Sequence, residues 1–187
     1  MRKTSTWILA TALVALLSST ALGQKAKKMA ADNRPTAAFR TEHVTKLEHL
    51  GHVETWVGAL TTQPAAEQKR SAEKVLAFFE QDIKPHAAWE EKALYPVVDR
   101  IAGSGAHPFT STMRHEHRIV ERWIGELRAE LEKPKLDAKK FARRADNLLG
   151  LLRAHFEEED EVLLPLIDKA MSKAEFEKAV GSPHTVH

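Results

Sequence analysis

The chain has 187 residues, with 28 basic and 26 acidic side chains and no cysteine. This length suits one domain with a single core, and the lack of cysteine excludes disulfides, thiolate metal ligands and a cysteine nucleophile. The nearly balanced charge gives no electrostatic argument for binding nucleic acid or an anionic membrane surface.

The first 23 residues have the three parts of a secretory signal peptide. Arg2 and Lys3 form the charged start, an apolar run follows over residues 7–17, and small residues end the segment at Gly23. The apolar run is shorter than the ~20 residues that cross a bilayer, although an uncleaved anchor is the alternative. We predict that residues 1–23 are removed, that the neutral mature chain is exported to a periplasm or secreted, and that it is not stably inserted in a membrane.

Residues 24–35 are polar and predict a flexible lead-in. Beyond them, apolar side chains recur at intervals of three and four, which is the helical period, and no stretch alternates as a strand would. Short breaks that contain proline or glycine separate four long predicted helices. These helices span residues 36–60, 65–101, 110–131 and 137–171. Three prolines fall inside the second and fourth helices, and we expect each to kink or end its helix locally.

Long helices with short connections predict an all-α fold, an up-down-up-down antiparallel four-helix bundle. A short extra C-terminal helix is predicted to start at Ser172, because Ser172 and Glu175 fit a capping box. The bundle domain is predicted over residues 36–181, and residues 182–187 form a loose tail.

The second and fourth predicted helices contain the same sequence phrase. A histidine is followed by glutamate at plus four, leucine at plus eight, proline at plus ten and an acid at plus thirteen. The phrase begins at His86 in one helix and at His155 in the other. The first and third helices share the shorter phrase Glu-His, which ends at His43 and His117. The chain is therefore predicted to use a two-helix unit twice.

These histidines and glutamates stand on the apolar stripes of their helices. Residues four apart are neighbours on one helix face, so the His and Glu of each phrase can bind one metal or bridge two. Buried carboxylates are rare without compensating positive charge, and no Lys or Arg falls convincingly on these stripes. Ordinary core histidines and boundary glutamates are the alternative, but one histidine per helix favours a two-metal site. The predicted ligands are His43, His86, Glu90, His117, His155 and Glu159.

The six residues, with Leu-Tyr-Pro or Leu-Leu-Pro after the glutamates, resemble the hemerythrin-like (HHE cation-binding) domain over residues 36–180. The resemblance implies two iron ions, one held by His43 and His86 and the other by His117 and His155. It also implies that the two glutamates bridge the ions. Imidazole and carboxylate ligands suit zinc, manganese and copper as well, so iron rests on the resemblance.

The third helix departs from the oxygen-carrying members of this family. Those members have a fifth histidine at a spacing of four, whereas here Met113 and Glu121 stand four residues before and after His117. The fifth ligand is then Glu121, a water, or nothing. The function predicted first is binding or sensing of dioxygen or a related small ligand. A di-iron peroxidase, catalase-like or oxidase enzyme, metal storage or scavenging, and a metal-free structural bundle are the alternatives.

The positions of several neighbours of the predicted ligands indicate their roles. Trp89 and Tyr95 are interpreted as packing aromatics, with tuning of access or hydrogen bonding to a bound ligand as the alternative. Asp82, one turn before His86, is predicted to orient a ligand. In the acidic run over residues 157–161, we expect only Glu159, the glutamate of the repeated phrase, to face inward.

Overall fold

In a computed structural model, the described part of the chain covers residues 32–103, 105 and 107–181. The predicted signal peptide, most of the lead-in and the tail lie outside it. The described residues form helices and no strand, which confirms the all-α prediction. The helices are α1 (Ala37–Ala59), α2 (residues 65–102), α3 (Ser111–Leu131), α4 (residues 138–170) and α5 (Lys173–Val180). Within the described residues, no helix has the length and apolar character needed to cross a membrane.

The four long helices pack around a shared core. Helices α1 and α3 each contact both α2 and α4, as expected for a hemerythrin-like bundle. The up-down-up-down direction of the helices stays a prediction. The predicted capping box is present at the start of α5, where Ser172 and Glu175 bond each other's backbone N–H groups, and Phe176 and Val180 bury the inner face of this helix.

Buried apolar side chains form two clusters along the bundle. The larger cluster includes Leu50 of α1 and Val120 of α3, and the smaller one includes Phe39 of α1 and Met113 of α3. Each fully buried side chain of this kind stabilises the fold by roughly 1.5–3 kcal/mol relative to exposure. The predicted ligand histidines of α1 and α3 lie in sequence between the two clusters, so apolar packing encloses them from both ends.

The prolines inside α2 and α4 do not end these helices. Each one follows a five-residue π-helical turn, and these turns are Phe79–Ile83, Glu90–Leu94 and Glu159–Leu163. A proline ring clashes with the carbonyl four residues earlier and lacks an N–H group. In each turn the residue before the proline donates to the carbonyl five residues back, which widens the helix at that point. The expected interruptions are therefore π turns, and two of them begin at the predicted bridging glutamates.

Helices α1 and α3 start with the same arrangement of contacts. Thr36 donates its backbone N–H and its hydroxyl to the Asp168 carboxylate at 3.1 and 2.8 Å. Thr110 donates the same two groups to Asp99 at 2.8 and 3.1 Å. The two aspartates are the acids at plus thirteen in the repeated phrase. Helix α4 thus holds the start of α1, and α2 holds the start of α3. The predicted ligand histidine of each held helix lies two turns after the threonine, so these contacts help to fix its position.

Replacing Asp168 by alanine is expected to lower the free energy of unfolding by about 1–3 kcal/mol. The reason is that fully buried Thr36 loses the acceptor of both its N–H and its hydroxyl. Denaturant unfolding of the metal-free protein measures the change. Glu73→Ala, at an exposed position of α2, is the control and should change stability by no more than about 0.5 kcal/mol. Equal losses in both variants would contradict this role of Asp168.

Candidate metal centre

One buried histidine from each long helix faces the middle of the bundle. These are His43 of α1, His86 of α2, His117 of α3 and His155 of α4, and none is more than 8% exposed. The ring centroids of His43 and His86 lie 5.4 Å apart, and those of His117 and His155 lie 4.8 Å apart. The histidines therefore form two pairs, and each pair joins both elements of one two-helix unit.

Glu90 lies between the two histidine pairs. Its side chain is fully buried, with one carboxylate oxygen 2.7 Å from Nε2 of His86 and the other 3.2 Å from Nε2 of His117. The first oxygen also lies 3.7 Å from Nε2 of His43. One carboxylate thus reaches both pairs, which is the placement that a bridging ligand requires.

Glu159, also fully buried, spans the pairs from the opposite unit. Its Oε2 lies 3.3 Å from Nε2 of His43, and its Oε1 lies 3.8 Å from Nε2 of His155. The Tyr95 hydroxyl donates to Oε1 of Glu159 at 2.8 Å and stands 3.2 Å from Nε2 of His117. Tyr95 is fully buried in the smaller apolar cluster, as a packing aromatic is, and its hydroxyl also hydrogen-bonds a predicted ligand, Glu159.

Several buried polar atoms converge on the centre without a hydrogen-bond partner among the described residues. They are Nε2 of His43, Nε2 of His86, both oxygens of Glu90 and Oε2 of Glu159. The atoms lie close together but are not aligned to bond one another, and an unsatisfied buried polar group costs about 1–3 kcal/mol, more when it is charged. A cation placed among them would satisfy all of them. The donor set therefore fits a metal.

The ligand atoms divide into two groups whose members all lie within 4.8 Å of one another. One group is His43, His86, Glu90 and Glu159, and the other is Glu90, His117 and His155. Because Glu90 belongs to both groups, the arrangement fits two neighbouring ions that share a carboxylate. Imidazole and carboxylate are the ligands that iron, manganese, zinc and copper accept.

Each histidine presents its other ring nitrogen, Nδ1, to a second carboxylate. The pairs are His43–Asp160 at 2.9 Å, His86–Glu42 at 3.1 Å, His117–Glu91 at 3.1 Å and His155–Glu116 at 2.8 Å. A carboxylate that accepts from Nδ1–H sets the tautomer and leaves the Nε2 lone pair pointing at the metal. These four acids therefore orient the rings and make them stronger ligands.

Sequence analysis missed these four orienting carboxylates, although the repeats contain a signal for them. Glu91 and Asp160 directly follow the bridging glutamates, and Glu42 and Glu116 directly precede the histidines of α1 and α3. The expectation that only one residue of the run 157–161 faces inward is wrong. Asp160 also faces inward, because this partly buried aspartate bonds a predicted ligand histidine.

The predicted role of Asp82 is also wrong. Asp82 does not orient His86 but accepts from Lys46 Nζ at 3.1 Å and lies 3.3 Å from His49 Nδ1. Lys46 itself is buried, and its Nζ lies 3.4 Å from Glu42. A lysine therefore does lie on an inward stripe, at the edge of the centre, where it offsets some of the negative charge.

The candidate fifth ligand does not lie with the other six. The Glu121 side chain is 70% exposed and pairs with Lys84 at 2.9 Å on the surface. Met113, four residues before His117, is buried in the smaller apolar cluster. Trp89 packs against Phe39 with ring centroids 5.3 Å apart, as a packing aromatic does.

The carboxylates of the centre raise the pKa values of His43 and His155 in the metal-free protein. Burial by itself lowers the pKa of His155, but the charge of Glu159 and the hydrogen bond to Glu116 outweigh burial and raise the pKa to about 9. Burial likewise opposes the contacts of His43 with Asp160 and the bridging glutamates, which raise its pKa well above the usual value. Protons thus supply positive charge when cations do not, and metal binding must displace them.

Comparison with known proteins agrees with this geometry. The family model described as hemerythrin HHE cation binding domain matches residues 34–167. The chain is also 26% identical over 97 residues to an uncharacterized hemerythrin-like protein of Schizosaccharomyces pombe, a match that covers 52% of this chain. It spans 46% of the relative, about half of its length. No solved structure matches the chain.

The metal-free protein is expected to lose stability as the pH rises from 6.5 to 9. The pKa of His155 is raised on folding from 6.5 to about 9, so its contribution is complete below pH 6.5 and is lost as the pH passes through 9. The loss is on the order of 3 kcal/mol. Denaturant unfolding with chelator present measures it. The fall should shrink in His155→Gln and persist in exposed His52→Gln, and a flat or rising profile in the unmodified protein would contradict the raised pKa.

Proposed function

This chain belongs to the hemerythrin HHE cation binding domain family, and we propose on that premise that its centre holds two iron ions and binds dioxygen or a related small ligand. The observation that supports this most is the place of Glu90 in both ligand groups. One histidine pair would hold each ion, and Glu90 and Glu159 would bridge them. A pair of iron ions, when bound, supplies up to two electrons to a small molecule.

The surroundings of the centre suit a small polar ligand. Burial and the charges of Glu90 and Glu159 raise the pKa of Tyr95 well above its usual value, so the phenol keeps its proton. Its hydroxyl lies beside the His117–His155 pair and can donate a hydrogen bond there. The fully buried bridging carboxylates exclude bulk water from the space between the pairs. These features favour binding of a molecule of a few atoms.

A di-iron peroxidase, catalase-like or oxidase activity is the second candidate. The centre has no fifth histidine in the described part of the chain, and Glu121 lies at the surface. An ion held by His117, His155 and the shared carboxylates would have one histidine fewer than in the oxygen-carrying members. This leaves more room for a small ligand beside it. The extra room beside that pair supports turnover of peroxide as the alternative.

Export belongs to the same proposal. Residues 1–23 have the charge, length and small-residue end of a signal peptide, and the protein would act in a periplasm or outside the cell. A centre that works there must keep its metal without disulfide support, because the chain contains no cysteine. Four helices that each contribute ligands provide that support, since metal binding joins them into one structure.

Elemental mass spectrometry of the purified chain tests the two-ion centre. We expect about two irons per chain, fewer in His155→Ala, and the largest loss in Glu90→Ala, because Glu90 serves both ligand groups. His52→Ala, at an exposed position of α1, is the matched control and should keep the metal. Equal metal content in the unmodified chain and all three variants would contradict the proposal. So would the absence of metal from all four proteins after reconstitution with ferrous iron.

Oxygen and peroxide assays on the iron-loaded protein separate the candidate functions. We expect the reduced protein to change its visible absorption on adding dioxygen and to recover when the gas is removed. Many turnovers of hydrogen peroxide or of a reductant per chain would establish the enzyme instead. Iron that leaves readily to a chelator, with no response to either molecule, would point to storage or scavenging.

A further inference from the structure

The first histidine pair is enclosed by aromatic rings. Phe156, directly after His155, stacks on His43 with ring centroids 4.8 Å apart and lies 5.6 Å from His86. Phe39 covers the same pair from α1, at 4.4 Å from His43 and 5.6 Å from His86. Both phenylalanines are 1% exposed, and His43 is not exposed at all. On this side of the centre the rings leave the His43 side chain unexposed and the His86 side chain 3% exposed.

The second histidine pair is not covered in the same way. In the repeated phrase, the position of Phe156 is taken by Ala87, directly after His86. A methyl group therefore stands where the other unit has a phenyl ring. His117 is the most exposed of the four histidines, at 8%. The two units thus carry equivalent predicted ligands, but the phenylalanine after the histidine is present in one unit and replaced by alanine in the other.

A surface cleft opens where the phenyl ring is missing. It lies between α2 and α3, has a volume of about 270 Å³, and is lined by Ala87 and by the ring of His117. One water molecule occupies about 30 Å³ in the liquid, so the cleft can hold several molecules of two or three atoms. Because His117 is a predicted ligand, this opening reaches the edge of the centre.

The walls of the cleft carry charges of both signs. Lys84 and Arg118 face it together with Glu91 and Glu121, so neither sign dominates. The Glu91 side chain is 41% exposed and bonds Nδ1 of His117, which places a solvated carboxylate between the cleft and the ring. Such walls suit a small neutral molecule or a monovalent anion.

We propose that the cleft between α2 and α3 is the path by which a small molecule of two or three atoms reaches the centre, and that it delivers this molecule to the ion held by His117 and His155. This inference rests on the proposed function of the centre. Ala87 is the residue that keeps the path open, because a larger side chain there would fill the space above His117. Tyr95 stands at the same ion position, where its hydroxyl meets the arriving molecule.

Ala87→Phe, which copies the phenylalanine of the other unit, is the variant that tests the path. The probe is azide, whose association with the ferric protein is followed by stopped-flow absorption. We expect the association rate to fall at least ~10-fold in the variant, with iron content and thermal midpoint unchanged. Ala129→Phe, at an exposed position of α3 away from the cleft, is the matched control and should leave the rate as it is.

A second variant covers the case in which a phenyl ring at residue 87 disturbs folding. Ala88 is exposed at the mouth of the same cleft, so Ala88→Trp narrows the opening without entering the core. Unchanged rates in both variants, with iron retained, would overturn the path and leave the proposed function standing. A wild-type chain that binds no iron in the same samples would overturn the proposed function, and the path with it.

Discussion

The rest of the structure depends on the burial of two carboxylates, Glu90 and Glu159, which are both fully buried. Removing an ionised carboxylate from water costs several kcal/mol even after relaxation, and here two of them face the same small space. The chain surrounds them with four histidines, one from each long helix. In the metal-free protein the raised pKa values of His43, His86 and His155 bring protons to the carboxylates. Two metal ions would supply the same positive charge through stronger bonds.

Reuse of one two-helix unit explains how the ligands come together. In each unit an acid at the end of the phrase holds the start of a helix from the other unit, through Thr36 and Asp168 or through Thr110 and Asp99. The histidines that follow these threonines are then carried to the same level of the bundle. The π turns that begin at Glu90 and Glu159 accommodate the prolines after them and recur at equivalent places. Irregular helix geometry of this kind is frequent at functional sites.

The differences between the units would give the two proposed ion positions different chemistry. Tyr95 in α2 corresponds to Leu164 in α4, so a hydroxyl lies beside the His117–His155 pair and no equivalent group comes from the other phrase. Ala87 corresponds to Phe156, so that same pair lies below a cleft. The side with this hydroxyl is therefore also the side that opens to solvent, whereas the His43 side is the more closed half of the centre.

The sequence by itself determined the helices, the six predicted ligands and their sharing between two units, because helical periodicity and a repeated phrase are properties of neighbouring residues. The tertiary structure decided which side chains from different helices meet. Periodicity assigns a residue to a face, but not to a partner on another helix. For this reason Asp82 pairs with Lys46, and Glu42 is the carboxylate that contacts His86. For the same reason Glu121 lies at the surface. The hydroxyl of Tyr95 and the space beside Ala87 likewise depend on how closely packed helices approach, which no single segment of chain encodes.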